Sequence, residues 1–71
     1  MTPSQLRAVT GTPASAIAKA LGISLGSLQI LEATPTEAWT LAQLRTYVGA
    51  CRCDLELAVV DRVDGERTPL A

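Results

Sequence analysis

Seventy-one residues, nearly half of them apolar and 18% charged, make one small domain whose core is marginal in isolation, so an oligomer is expected before any motif is read. With no His, and with Cys51 and Cys53 in a C-x-C as the only thiols, the chain lacks the ligands for a metal site, and no metal or cofactor is expected. The net charge of −1 does not suggest a nucleic-acid binder, but its distribution matters more: residues 1–31 hold Arg7 and Lys19 and no acid, whereas the remainder holds four basic and seven acidic residues.

Four helix starts follow one another, each with its own capping signal. In "TPSQL", Thr2 is a cap, Pro3 fits the first helical position and Gln5 completes a capping box; this helix is expected to end near Thr10–Gly11. In "TPAS", Thr12 is expected to cap a second helix with Pro13 behind it, Ile17, Ala18 and Leu21 facing inward and Gly22 as the left-handed stop. Ser24 caps a third helix, with Leu28 and Leu31 inward, that cannot pass Thr34–Pro35. "PTEA" reads as a short connection. Thr40 and Gln43 then form a second capping box, and Trp39 just ahead of the cap can pack on Leu44 as a hydrophobic staple. Leu41, Leu44, Val48 and Cys51 recur at helical spacing and give the fourth helix one apolar face.

After Cys53 the period changes. "LELAVV" alternates Leu55, Leu57 and Val59 against Glu56, Ala58 and Val60, Asp64–Gly65 is a turn pair, and "RTPLA" is expected to return as a short edge strand because of Pro69. A lone two-stranded hairpin is barely stable in water. Since both faces of residues 55–60 carry apolar side chains, the arm is expected to pair with its copy in a second subunit, with Leu55, Leu57, Val59 and Val60 as dimerisation residues. The chain therefore divides into a helical domain, residues 1–52, and a carboxyl-terminal β arm, residues 53–71.

The second and third helices are separated by so little chain that they have helix-turn-helix spacing. A small residue sits where the backbones approach (Ala18), a residue tolerant of positive φ sits in the turn (Gly22), and Ile17, Leu21, Ile23, Leu28 and Leu31 lock the two helices. At these positions the sequence resembles the phage-repressor and Cro-like (XRE) helix-turn-helix family over about residues 5–60, through "IAKALGIS", "LQILEA" and "TLAQLRTYVGAC". The tail "LRTYVGACRCDLELAVV" is similar to the branch that includes type II antitoxins, where a carboxyl-terminal strand follows the last helix. The resemblance implies a mainly α, lambda-repressor-like fold with a β arm. It also implies a dimeric DNA-binding transcription regulator, its recognition helix about residues 24–33 in the major groove of double-stranded DNA and the two such helices ~34 Å apart.

Carried onto this chain, the DNA contacts fall on Ser15, Lys19, Ser24, Gly26, Ser27 and Gln29. The departures from the family pattern concentrate on the same face. Ala14 stands where members commonly have a phosphate-holding Gln, Leu25 where a Gln reads a base, Ile30 where a basic residue is usual, Ala33–Thr34 where a basic residue and Gly are usual, and Arg52 where a Gly-type stop ends the fourth helix. A bidentate base contact contributes about 1–3 kcal/mol of discrimination, so DNA binding on this face is expected to be weak or A·T-leaning. The alternative is a degenerate helix-turn-helix whose Leu25, Gly26, Ile30 and Ala33 form a strip for protein contact, with a toxin-like protein or a second copy as partner.

The chain is not expected to be an enzyme: it has no His, no Gly-rich phosphate loop and no carboxylate pair withdrawn from solvent. It carries no secretory signal, no run long enough to span a bilayer and no lipidation motif, and the expected location is cytoplasmic, without a membrane partner.

Overall fold

A computed structural model describes residues 1–70; Ala71, the last residue of the expected arm, lies outside them. Four α-helices, α1 (Pro3–Thr10), α2 (Ala14–Leu21), α3 (Leu25–Ala33) and α4 (Leu41–Ala50), precede an antiparallel hairpin of β1 (Ala58–Val60) and β2 (Arg67–Pro69). The fold is mainly helical with a short carboxyl-terminal sheet, as the capping signals and the change of period predict.

The helix starts obey local chemistry. The Thr2 hydroxyl accepts from the Gln5 backbone N–H at 3.2 Å while the Gln5 side chain accepts from the Thr2 N–H at 2.8 Å. Thr40 and Gln43 repeat the exchange at 3.0 and 2.8 Å, and Ser24 caps α3 by accepting from the Ser27 N–H at 3.1 Å. Each bond satisfies a first-turn group that the helix itself leaves without a partner.

The core lies wholly within the helical body. Ile17, Ala18, Leu28, Trp39, Tyr47 and Cys51 form one buried cluster, with Leu6, Leu21, Ile23, Leu31 and Leu44 half-buried around it. Helix α2 packs chiefly on α4, so Ile17 and Ala18 fill the space beneath Tyr47 and its neighbours. The Trp39 and Tyr47 rings meet tilted at 59° with centroids 5.4 Å apart, an arrangement aromatic quadrupoles favour. The Trp39 indole N–H donates to the Thr34 carbonyl at 3.1 Å, anchoring the end of α3 to the start of α4.

Three expectations are corrected. Thr12 does not cap α2: its N–H donates to the Arg7 carbonyl at 3.0 Å and its hydroxyl lies 2.8 Å from that of Thr10, so it closes α1. Pro13 takes the cap position with no side-chain bond. "PTEA" is not a plain connection, because Thr36–Ala38 form a single 3₁₀ turn. The first strand is shorter than residues 55–60: Leu55 and Leu57 are half-buried but lie before it, since β1 extends only where β2 is available to pair.

The arm stands away from the body. A radius of gyration of 13.8 Å exceeds the ~11 Å of a compact chain of this length, and the extents of 43 × 22 × 19 Å show the elongation. An open groove of about 820 Å³, lined by Arg45 and Gly49 of α4 and by Leu55, Leu57 and Leu70, separates the two. Every residue of β1 and β2 is exposed.

Candidate nucleic-acid interface

Between α2 and α3 the chain turns through Gly22, Ile23 and Ser24, and the two helices are bent by 95° at this break. That crossing and turn length are those of a helix-turn-helix. Gly22 makes it possible: at φ 69° it donates its N–H to the Lys19 carbonyl at 3.2 Å, and Ile23 follows to Ala18 at 3.0 Å. These two bonds close α2 and release the chain directly into the Ser24 cap. Ala18, 4% exposed, is the small residue at the crossing, and Leu28 is the α3 side chain driven furthest into the core.

With Leu28 inward, α3 presents Leu25, Gly26, Ser27, Gln29, Ile30 and Ala33 outward, and all six are exposed. Gly26, Gln29, Ile30 and Ala33 recur at three and four residues and so share one stripe. Ser15 and Lys19, also exposed, lie four apart on one face of α2. The six residues predicted to touch DNA are therefore accessible, in two groups set by the α2–α3 crossing. Ser24 and Ser27 differ in what they can do. The Ser24 hydroxyl accepts from the Ser27 N–H and donates to the Ser27 hydroxyl at 3.1 Å, which leaves the Ser27 proton as the one able to point at a ligand.

Gly26 has no internal reason to be glycine. A Cβ placed there meets only the Ser24 hydroxyl oxygen, at 3.9 Å, which is ordinary contact. Leu25 and Ile30 are 51% and 72% exposed, large apolar groups on the face that would meet a groove. The start of α2 carries no side-chain cap and no acid in its first turn, and the first turn of α3 is likewise free of acids, so the positive ends of both helices are unopposed.

Arg7, with Lys19 one of the two basic residues of the acid-free stretch 1–31, is engaged inside the protein. Its guanidinium donates in a fork to Glu32, Nε to Oε2 at 2.9 Å and an Nη to Oε1 at 3.3 Å, and the Tyr47 hydroxyl donates to the same carboxylate. One residue each from α1, α3 and α4 is thereby joined behind the candidate face. Burial works against the Glu32 charge, but the Arg7 and Tyr47 hydrogen bonds and the nearby guanidinium outweigh it and hold the carboxyl below its ordinary range. Burial, and then the bond to Glu32, push the Tyr47 hydroxyl upward; the bond to Glu32 likewise raises Arg7 against a smaller desolvation effect. The signal in the sequence was that Glu32 is the first acid in the chain, inside an otherwise acid-free helical stretch.

Across the described residues no single helix is long and apolar enough to cross a membrane. In comparisons with known proteins the chain matches no family model and no curated protein, so the functional reading rests on these residues and their geometry.

Proposed function

We propose that this chain is a small helix-turn-helix transcription regulator of the repressor or antitoxin type, which lays α2 across the DNA backbone and inserts α3 into the major groove as one half of a dimer. The observation that carries the reading is the 95° bend of α2 and α3 about a Gly22 turn with the outer face of α3 fully exposed. Gln29 is the side chain suited to a base edge, with both a donor and an acceptor. Ser27 donates from the start of α3, and Ser15, Lys19 and the uncapped amides of α2 hold phosphates. With Arg7 engaged by Glu32, Lys19 is the charged contributor of this face, so affinity is modest and Leu25 and Ile30 favour thymine methyl groups.

The test is binding to DNA upstream of the chain's own gene against scrambled DNA, across a salt series. Preference for the upstream DNA should fall on Gln29→Ala. Lys19→Ala should lower affinity for both DNAs alike and reduce the log–log salt slope by about 0.9 per protomer. A folded oligomer that binds neither DNA at low salt overturns the reading. The exposure of Leu25 and Ile30 favours the second reading in that event, with Leu25, Gly26, Ile30 and Ala33 as a protein-contact strip that salt leaves unweakened.

A further inference from the structure

The dimer assumed above requires a contact surface, and the backbone of the arm identifies one. In the β1–β2 register, Ala58 faces Pro69, Val59 faces Thr68 and Val60 faces Arg67. The Leu70 N–H donates to the Leu57 carbonyl at 2.8 Å and the Asp61 N–H to the Glu66 carbonyl at 2.9 Å, so the bonded pairs are those of odd-numbered β1 residues. Antiparallel pairs alternate. The Ala58–Pro69 and Val60–Arg67 pairs are therefore the non-bonded ones, and their backbone groups point away from the hairpin. On β1 this leaves the N–H and C=O of Ala58 and Val60 aimed outward, a complete edge. On β2 the equivalent outward position is Pro69, which has no N–H to offer.

We infer that the outer edge of β1 pairs antiparallel with the outer edge of β1 in a second copy of this chain, giving a four-stranded sheet in the order β2–β1–β1–β2. This rests on the dimeric reading of the preceding section and specifies its interface. The second copy is the fitting occupant because the pairing closes. Each new outer edge is a β2 strand interrupted by Pro69, so a third copy finds no continuous ladder. The register follows from overlap. Only the arrangement with Val59 opposite Val59 of the partner subunit keeps residues 58–60 fully overlapped, with Ala58 opposite the partner subunit's Val60. Sliding by two residues in either direction leaves part of the 58–60 stretch of each copy without a strand partner.

The experiment compares two proline variants of the full chain by sedimentation in the absence of DNA, with far-UV circular dichroism as the folding control. Val60 and Arg67 face each other and neither N–H serves the hairpin, so Val60→Pro and Arg67→Pro burden it alike. Self-association should weaken by about tenfold or more in Val60→Pro and persist in Arg67→Pro, with helical signal retained in both. A monomeric wild type, equal effects of the two variants, or loss confined to Arg67→Pro overturns the inference. Because no DNA is present, these outcomes are separate from failure of the DNA-binding reading, which the upstream-DNA titration decides.

Discussion

At Arg52 the backbone sits at φ 61°, a left-handed conformation that costs a residue with a Cβ about 1–2 kcal/mol. The reason is the end of α4: the Arg52 N–H donates to Gly49 at 3.0 Å and the Cys53 N–H to Val48 at 3.1 Å, the same paired closure that Gly11 and Gly22 provide for α1 and α2. Arg52→Gly should raise stability by about 1 kcal/mol, seen as a melting temperature higher by ~4–8 °C, and an unchanged melting temperature would mean the strain is absent in solution. The Glu32 carboxylate makes a second residue-level prediction. Its folded pKa lies below the unfolded one, so its contribution is complete above the ordinary carboxylate range and disappears as pH falls through the depressed value. Tyr47 is the opposite case: raised from 10.0, its contribution is intact below about pH 10 and is lost as pH rises beyond it. Tyr47→Phe removes one hydrogen bond to a charge, about 2 kcal/mol, and should flatten the alkaline limb of urea midpoint against pH; because the same bond lowers Glu32, it should also shrink the acid limb to the part that Arg7 supports. Glu32→Gln should remove the acid limb.

At the scale of elements, α3 is where sequence and structure inform one another most. The starts of α1, α3 and α4 were legible because a cap is a bond between residues three apart, and Gly22 was legible because one torsion explains it. Thr12 misled because a Thr before Pro can close one helix as readily as open the next, and here its N–H completes the paired closure of α1 that Gly11 begins. The Arg7–Glu32–Tyr47 cluster spans separations of 25 and 15 residues, which no period or motif encodes. The outer face of α3 was legible as a list of exposed residues, but its ligand was not, since exposure follows from Leu28 pointing inward and says nothing about what approaches. Gly26 offers a way to ask. At the second position of α3, nothing in the chain excludes a Cβ, so Gly26→Ala should stabilise the protein by up to about 1 kcal/mol. If a DNA backbone or a protein surface approaches this point closely, the same variant should bind it more weakly despite being more stable. Paired melting and DNA-titration measurements separate the two effects, and undiminished binding would assign Gly26 no part in the interface.

The whole molecule consists of two parts with unequal means of support. Among the described residues the helical body contains every buried side chain, whereas the hairpin holds itself by a short ladder and exposed Val59, Val60, Val63 and Leu70. Two strands alone are marginal in water, so the arm's order should depend on its partner. Amide hydrogen exchange should show α2 and α4 protected at all concentrations. Arm amides at positions 57–61 should be protected only where the chain associates, and should exchange quickly in Val60→Pro. Equal protection of arm and body in a demonstrated monomer would contradict this division.

Trp39 has a practical consequence at the same scale. It is the chain's single indole, is buried against Tyr47 and is bonded to Thr34, and neither strand contains an aromatic residue. Its emission is therefore a beacon inside the helical body and is dark to events in the arm. A dilution series in which tryptophan fluorescence stays constant while the sedimentation coefficient falls would be the optical signature of subunits parting without unfolding, obtained from the unmodified protein.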